Sequence, residues 1–190
     1  MTIGLYFGSF NPVHVAHLII ANHVLNETEI ERIWFVVSPQ NPFKEESNLL
    51  NEYHRLELVR LATEDDVRIK ASDIEFGLPK PSYTSATLAY LGEKYPEHEF
   101  CIIMGSDSFQ NLHKWKNAEM IIKNYDVYIY QRPGFDTTNV TGVRATLLNA
   151  PLLQLSATQI RRYIKEGKSV RYMLPDKVLE EIEKGGYYKK

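Results

Sequence analysis

Short apolar runs alternate with helix-period segments along most of this chain, and that alternation restricts it to few folds. The runs at 3–7, 33–37, 67–71, 100–104 and 126–131 are rich in β-branched and aromatic residues and mostly bounded by turn signals. Each reads as a strand, and 145–151 adds a sixth. Several are apolar throughout rather than alternating, the pattern of strands covered on both faces in a parallel sheet. Helical patterns fill the gaps at 17–27, 51–65, 84–95 and 116–125, and two more near the end, 156–167 and 175–186, each close on glycine. The order predicts an α/β open parallel sheet with right-handed crossovers and helices on both faces. Its 190 residues suit one domain over 1–190, with a helical C-terminal part from about residue 156.

In such sheets ligands sit beyond the carboxyl ends of the strands, where strand order reverses. The stretch leaving the first strand there is "GSFNPVHVAH", Gly8 to His17, which holds two of the six histidines. Gly8 permits a tight turn and close approach of a ligand. Pro12 suits the entry to a helix that begins near His14 or Val15. His14 and His17, spaced i and i+3, then share a face of the first turn, beside backbone N–H groups that favour phosphate. The same spacing also fits two solvated histidines on a plain connection. A zinc pair fits poorly, because no Cys, Asp or Glu stands nearby.

A second helix start comes about 140 residues later in "LSATQIRR", which reads either as a capped amphipathic helix with a solvated arginine or as another phosphate-holding terminus. Ser156 is a natural N-cap, Thr158 places a hydroxyl in the first turn, and Arg161 can reach back over the terminus. By themselves Trp115 reads as a partly buried aromatic, Asp107 as a helix cap and Lys44 as a solvated charge; a second reading of each comes only with the resemblance given below.

Composition removes several alternatives. A net charge of −2 leaves no basic excess for a nucleic-acid backbone, so any anion site must be local. No apolar run approaches the ~20 residues of a membrane span, and the start lacks a signal-peptide pattern. The single cysteine, Cys101, cannot make an internal disulfide and sits in an apolar run, as in a cytoplasmic protein with a buried thiol. Oligomeric state is left open.

The opening string resembles the G-x-F-x-P-x-H-x-G-H signature of the nucleotidyltransferases related to class I aminoacyl-tRNA synthetases. It matches at Gly8, Phe10, Pro12, His14 and His17, with Ala16 replacing a glycine and Asn11 a frequent aspartate. "LSATQIRR" is similar to their I-S-S-T-x-I-R motif. Further segments resemble the bacterial nicotinate mononucleotide adenylyltransferases: "SPQNPFKEE", with Phe43 where they carry histidine, "PSYT", "IMGSDSF", "HKWKNAEMI" and "YQRPG". The resemblance implies a Rossmann-like fold and adenylyl transfer from ATP to nicotinate mononucleotide. It implies His14, His17, Lys44 and Arg161 as catalytic groups. It places Gly8, Ser9, Phe10, Gly105, Asp107, Arg132, Ser156 and Thr158 around ATP, and Thr84, Trp115 and Lys44 at the acceptor. Mg²⁺ would arrive with ATP, since the motifs offer no carboxylate cage for it.

Overall fold

The computed structural model describes residues 1–40, 48–135, 137 and 142–189. Six strands form one parallel sheet in the order β3-β2-β1-β4-β5-β6. They are β1 (Thr2–Gly8), β2 (Arg32–Val37), β3 (Ile69–Ser72), β4 (Glu99–Gly105), β5 (Val127–Tyr130) and β6 (Ala145–Leu148). The helices are α1 (Val15–Glu27), α2 (Glu52–Thr63), α3 (Thr84–Lys94), the single turn α4 (Ser106–Phe109), α5 (Ala118–Asn124), α6 (Ala157–Lys165) and α7 (Asp176–Gly185). Among the described residues no helix is long and apolar enough to cross a membrane.

The apolar runs are explained by two cores, one on each face of the sheet. On one face Tyr6, Phe35 and Ile103 meet Ile20 and Val24 of α1, Val59 of α2, Ile160 of α6 and Ile182 of α7. On the other, Leu5, Trp34 and Ile102 meet Leu88 and Leu91 of α3, Phe109, Leu112 and Ile121 of α5. Burial of such side chains contributes about 1.5–3 kcal/mol each before entropy is counted. The C-terminal helices therefore share the first core with the sheet, and positive-φ Gly167 and Gly186 follow them.

Three boundaries differ from the sequence expectation. The third strand starts at Ile69, because Asp66 accepts from the Arg68 backbone N–H (2.9 Å) and side chain and holds residues 66–68 in a turn, leaving Val67 83% exposed. The sixth ends at Leu148, before Pro151, which has no N–H to give a sheet. The loop "EFGLPKPSY" is partly ordered by a 3-10 turn, Ile74–Gly77.

Candidate active site

Strand order reverses between β1 and β4, so the sheet's crevice opens where "GSFNPVHVAH" leaves β1. The turn there is made differently from the glycine-based expectation. The left-handed residue is Phe10 (φ 46°), and its ring folds back to stack on Phe35 at 5.1 Å and an interplanar angle of 2°. A Cβ on Gly8 would stand 2.9 Å from that ring. Gly8 therefore makes room for Phe10, whose buried side chain leaves only its backbone to offer a ligand. Asn11 is no carboxylate substitute: its Nδ2 donates to the Asn48 carbonyl (2.8 Å) and its Oδ1 accepts from Leu50 N–H (3.1 Å). It ties the turn to the segment before α2.

His14 is the N-cap of α1 and His17 stands one turn on, their rings stacked with centroids 3.8 Å apart. The solvated reading of the pair does not hold for His14, which is 3% exposed. His17 Nδ1 accepts the His14 backbone N–H at 3.2 Å, so a neutral His17 carries its proton on Nε2 and offers that nitrogen as a donor. His14 Nδ1 is buried with no hydrogen-bond partner.

Burial, helped by the charge of Arg132, lowers the His14 pKa from 6.5 to about 4, so the ring is neutral at pH 7. Unfolded His14 takes its proton near 6.5 and the folded one only near 4. Between those values the unfolded state binds more protons, and stability falls as acid is added. We expect urea midpoints to drop between about pH 7 and about pH 4.5, and less steeply in His14→Gln than in the parent. Parallel pH profiles of the two proteins would overturn this assignment.

The second motif closes over the first. Ser156 caps α6, its Oγ accepting Gln159 N–H at 3.3 Å. Arg161 donates to the Asn11 carbonyl (2.8 Å) and the Thr158 hydroxyl (3.3 Å), so one guanidinium joins two segments 150 residues apart. From the sheet side, Asp107 enters from α4 and Arg132 from the end of β5. Gly105 leaves space for these two side chains, since a Cβ there would lie 2.5 Å from Asp107 Oδ1 and 2.9 Å from Arg132 Cγ. Ser106, which the sequence did not single out, is fully buried and accepts the Arg132 N–H at 2.8 Å.

These residues surround one cavity of about 390 Å³, lined by His14, His17, Ser9, Asp107, Arg132, Ser156, Thr158 and Arg161, with Gly8 and Phe10. Of the residues implied for ATP, only Gly105 does not line it. A second, smaller pocket adjoins it and brings together Thr84 at the start of α3 and Trp115 after the 3-10 turn Leu112–Lys114. Phe7, Gly8 and Ser108 line both. Glu75 lies in the wall of this pocket with 1% exposure; burial raises its pKa, and Thr87 donates to it at 2.8 Å. Lys44, with Pro42 and Phe43, lies outside the described residues.

Apart from the single turn α4, which carries Asp107 at the larger cavity, the first turns of the helices separate by sign. Those of α1, α3 and α6, which open on the two cavities, carry no acidic residue. Those of α2, α5 and α7 each carry one. A carboxylate at a helix start is ordinarily favourable, so its absence at these three keeps the positive end of the dipole for another anion.

The cytidylyltransferase-like family matches residues 5–163. A Flavobacterium johnsoniae protein named probable nicotinate-nucleotide adenylyltransferase is 51% identical to this chain, with 100% of both chains covered. A Bacteroides thetaiotaomicron protein of the same name is 46% identical, over 94% of this chain and 89% of that one. The chain belongs to the nicotinate-nucleotide adenylyltransferase family. The fold agrees with that membership. The Plasmodium falciparum nicotinic acid mononucleotide adenylyltransferase complexed with NaAD matches with a TM-score of 0.85 at 21% identity, over 98% of this chain and 97% of that one. As a nicotinate-nucleotide adenylyltransferase, the chain is an enzyme whose two cavities can be assigned to two substrates.

Proposed function

We propose that this enzyme binds ATP in the larger cavity and nicotinate mononucleotide in the smaller one, and joins them where the two meet. The 5′-phosphate of the acceptor attacks the α-phosphorus of ATP, giving nicotinate adenine dinucleotide and pyrophosphate. The observation that carries this assignment is the pair of adjoining cavities sharing Phe7, Gly8 and Ser108.

A phosphate monoester with a second pKa near ~6 is mostly dianionic at pH 7, so the nucleophile needs no general base. The barrier is the meeting of two polyanions. His17 donates from Nε2, Arg161 clamps through its fork, neutral His14 adds hydrogen bonding, and the α1 and α6 termini supply oriented N–H groups. Lys44 adds charge to the triphosphate. Asp107 holds a ribose hydroxyl and Arg132 lies beside the adenine nucleotide. Ser9, Ser156, Thr158 and the backbone of Gly8 and Phe10 complete the phosphate cradle. At the acceptor, Trp115 stacks on the pyridine ring, and Thr84 with the α3 terminus receives the carboxylate. Mg²⁺ enters on ATP as part of the substrate. Among the described residues no cluster of three His, Cys, Asp or Glu side chains stands ready for a metal.

The whole chain acts as one domain, in the cytoplasm, without nucleic acid or membrane as partner. Burial pushes the thiol pKa of Cys101 up to about 12, which makes it an inert core thiol. We expect Trp115→Ala to weaken acceptor binding by ~1–3 kcal/mol, the scale of base–aromatic stacking. ATP binding should stay unchanged, and equal losses for both ligands in calorimetry would make Trp115 structural. The direct test is pyrophosphate release from Mg·ATP with nicotinate mononucleotide, its amide counterpart and phosphopantetheine offered separately. Highest turnover with the first is expected. Release only with another acceptor would overturn the reading of Thr84 and Trp115, and none with any would leave a nucleotide-binding protein.

A further inference from the structure

Arg55 of α2 is fully buried, with 0% exposure, yet no carboxylate lies within ion-pair distance of it among the described residues. An arginine side chain placed so deep is ordinarily paired with an acid. This one is held by four carbonyls. Nη1 donates to Ser9 O (2.6 Å) and Ser38 O (2.8 Å), Nη2 to Pro39 O (2.9 Å) and Nε to Leu50 O (2.7 Å). Those acceptors come from the turn after β1, the segment after β2, and the residue preceding the α2 cap. The nearest acid acting on it, Glu52, is engaged by Lys80 at 2.7 Å. Burial lowers the Arg55 pKa, yet a guanidinium is basic enough to keep its charge in neutral solution.

Two consequences follow from this arrangement. First, the guanidinium occupies the carbonyl oxygens of Ser9, Ser38 and Pro39, and Ser9 lines the larger cavity. A carbonyl engaged in this way has less negative charge to set against an arriving phosphate. Second, a full positive charge stands behind the β1 turn without a neutralising partner, in surroundings where charge is poorly screened. We propose that Arg55 is a positioning residue for adenylyl transfer, fixing the β1 turn against the ends of two loops and lending the nucleotide site a buried positive charge. It never touches the substrate. The proposal rests on the reading of the larger cavity as the ATP site.

The test measures calorimetric binding of ATP, AMP and adenosine to the parent enzyme, Arg55→Lys and Arg55→Met, with kcat and KM for each protein. Arg55→Met should bind ATP at least about tenfold more weakly, AMP less so, and adenosine nearly as the parent does. Arg55→Lys keeps the charge but cannot reach four carbonyls. It should retain most ATP affinity while kcat falls, and it serves alone if the Met variant does not fold. Equal losses for ATP and adenosine in Met, or in Lys alone a loss of ATP affinity with no change in kcat, would overturn the proposal. If the parent itself bound ATP no better than adenosine, the assignment of the cavity would fail instead.

Discussion

Replacing His17 by alanine lowers turnover at least ~100-fold, the scale lost with one preorganised donor at developing charge. The geometry gives two reasons for an effect of that size. His17 Nδ1 is occupied by the His14 N–H, which leaves Nε2–H as a donor of fixed identity at the cavity wall. The ring is also stacked on His14 at 3.8 Å, so its removal frees the neighbouring imidazole to move. The loss should appear in kcat more than in the KM for ATP, because the contact strengthens as charge moves to the leaving pyrophosphate. Single-turnover pyrophosphate release on folded protein checks it. Turnover within about threefold of the parent would remove His17 from the mechanism.

Arg161→Ala should cost at least ~100-fold in kcat/KM for ATP, with KM rising, since it removes both a phosphate clamp and a tie between segments. In the present structure the guanidinium already spans the Asn11 carbonyl and the Thr158 hydroxyl. Arg161→Lys separates the contributions. A lysine keeps the charge as a point donor but cannot bridge both partners in a plane, so about tenfold of the loss should persist. Full recovery with lysine, measured by steady-state kinetics over a range of ATP concentrations, would mean that charge alone suffices and the fork does nothing.

The fold was legible because its physics is periodic. Runs such as "IWFVV" are apolar at every position since β2 is covered on both faces, and apolar spacing and caps mark six of the helices. Turns broke the pattern: Val67 is apolar yet 83% exposed, because the Asp66–Arg68 turn claims the backbone before the ladder begins. At the site, spacing showed that His14 and His17 share a helical turn, and the Ser156 cap was readable from residue type. At Gly8 and Gly105 the structure adds a reason the sequence does not show, side chains packed where a Cβ would stand: Phe10 at the first, Asp107 and Arg132 at the second. Arg55 was missed although a signal existed. It occupies the helix position three and four residues before buried Leu58 and Val59, where an apolar residue is expected. Glu75 and Ser106 carry no such mark, because their partners, Thr87 of α3 and Arg132 after β5, come from other segments.

The two cores on opposite faces of the sheet divide the labour of the molecule. The helices proposed to hold the triphosphate, α1 and α6, are rooted in the layer holding Phe35, Val59 and Ile160. Trp115 and the helix that begins at Thr84 are rooted in the other, with Leu88, Leu91 and Leu112. The sheet is a partition between them. A lineage could therefore exchange one acceptor for another by remodelling a single hydrophobic layer, while the transfer chemistry passes to its descendants intact on the far side of the wall.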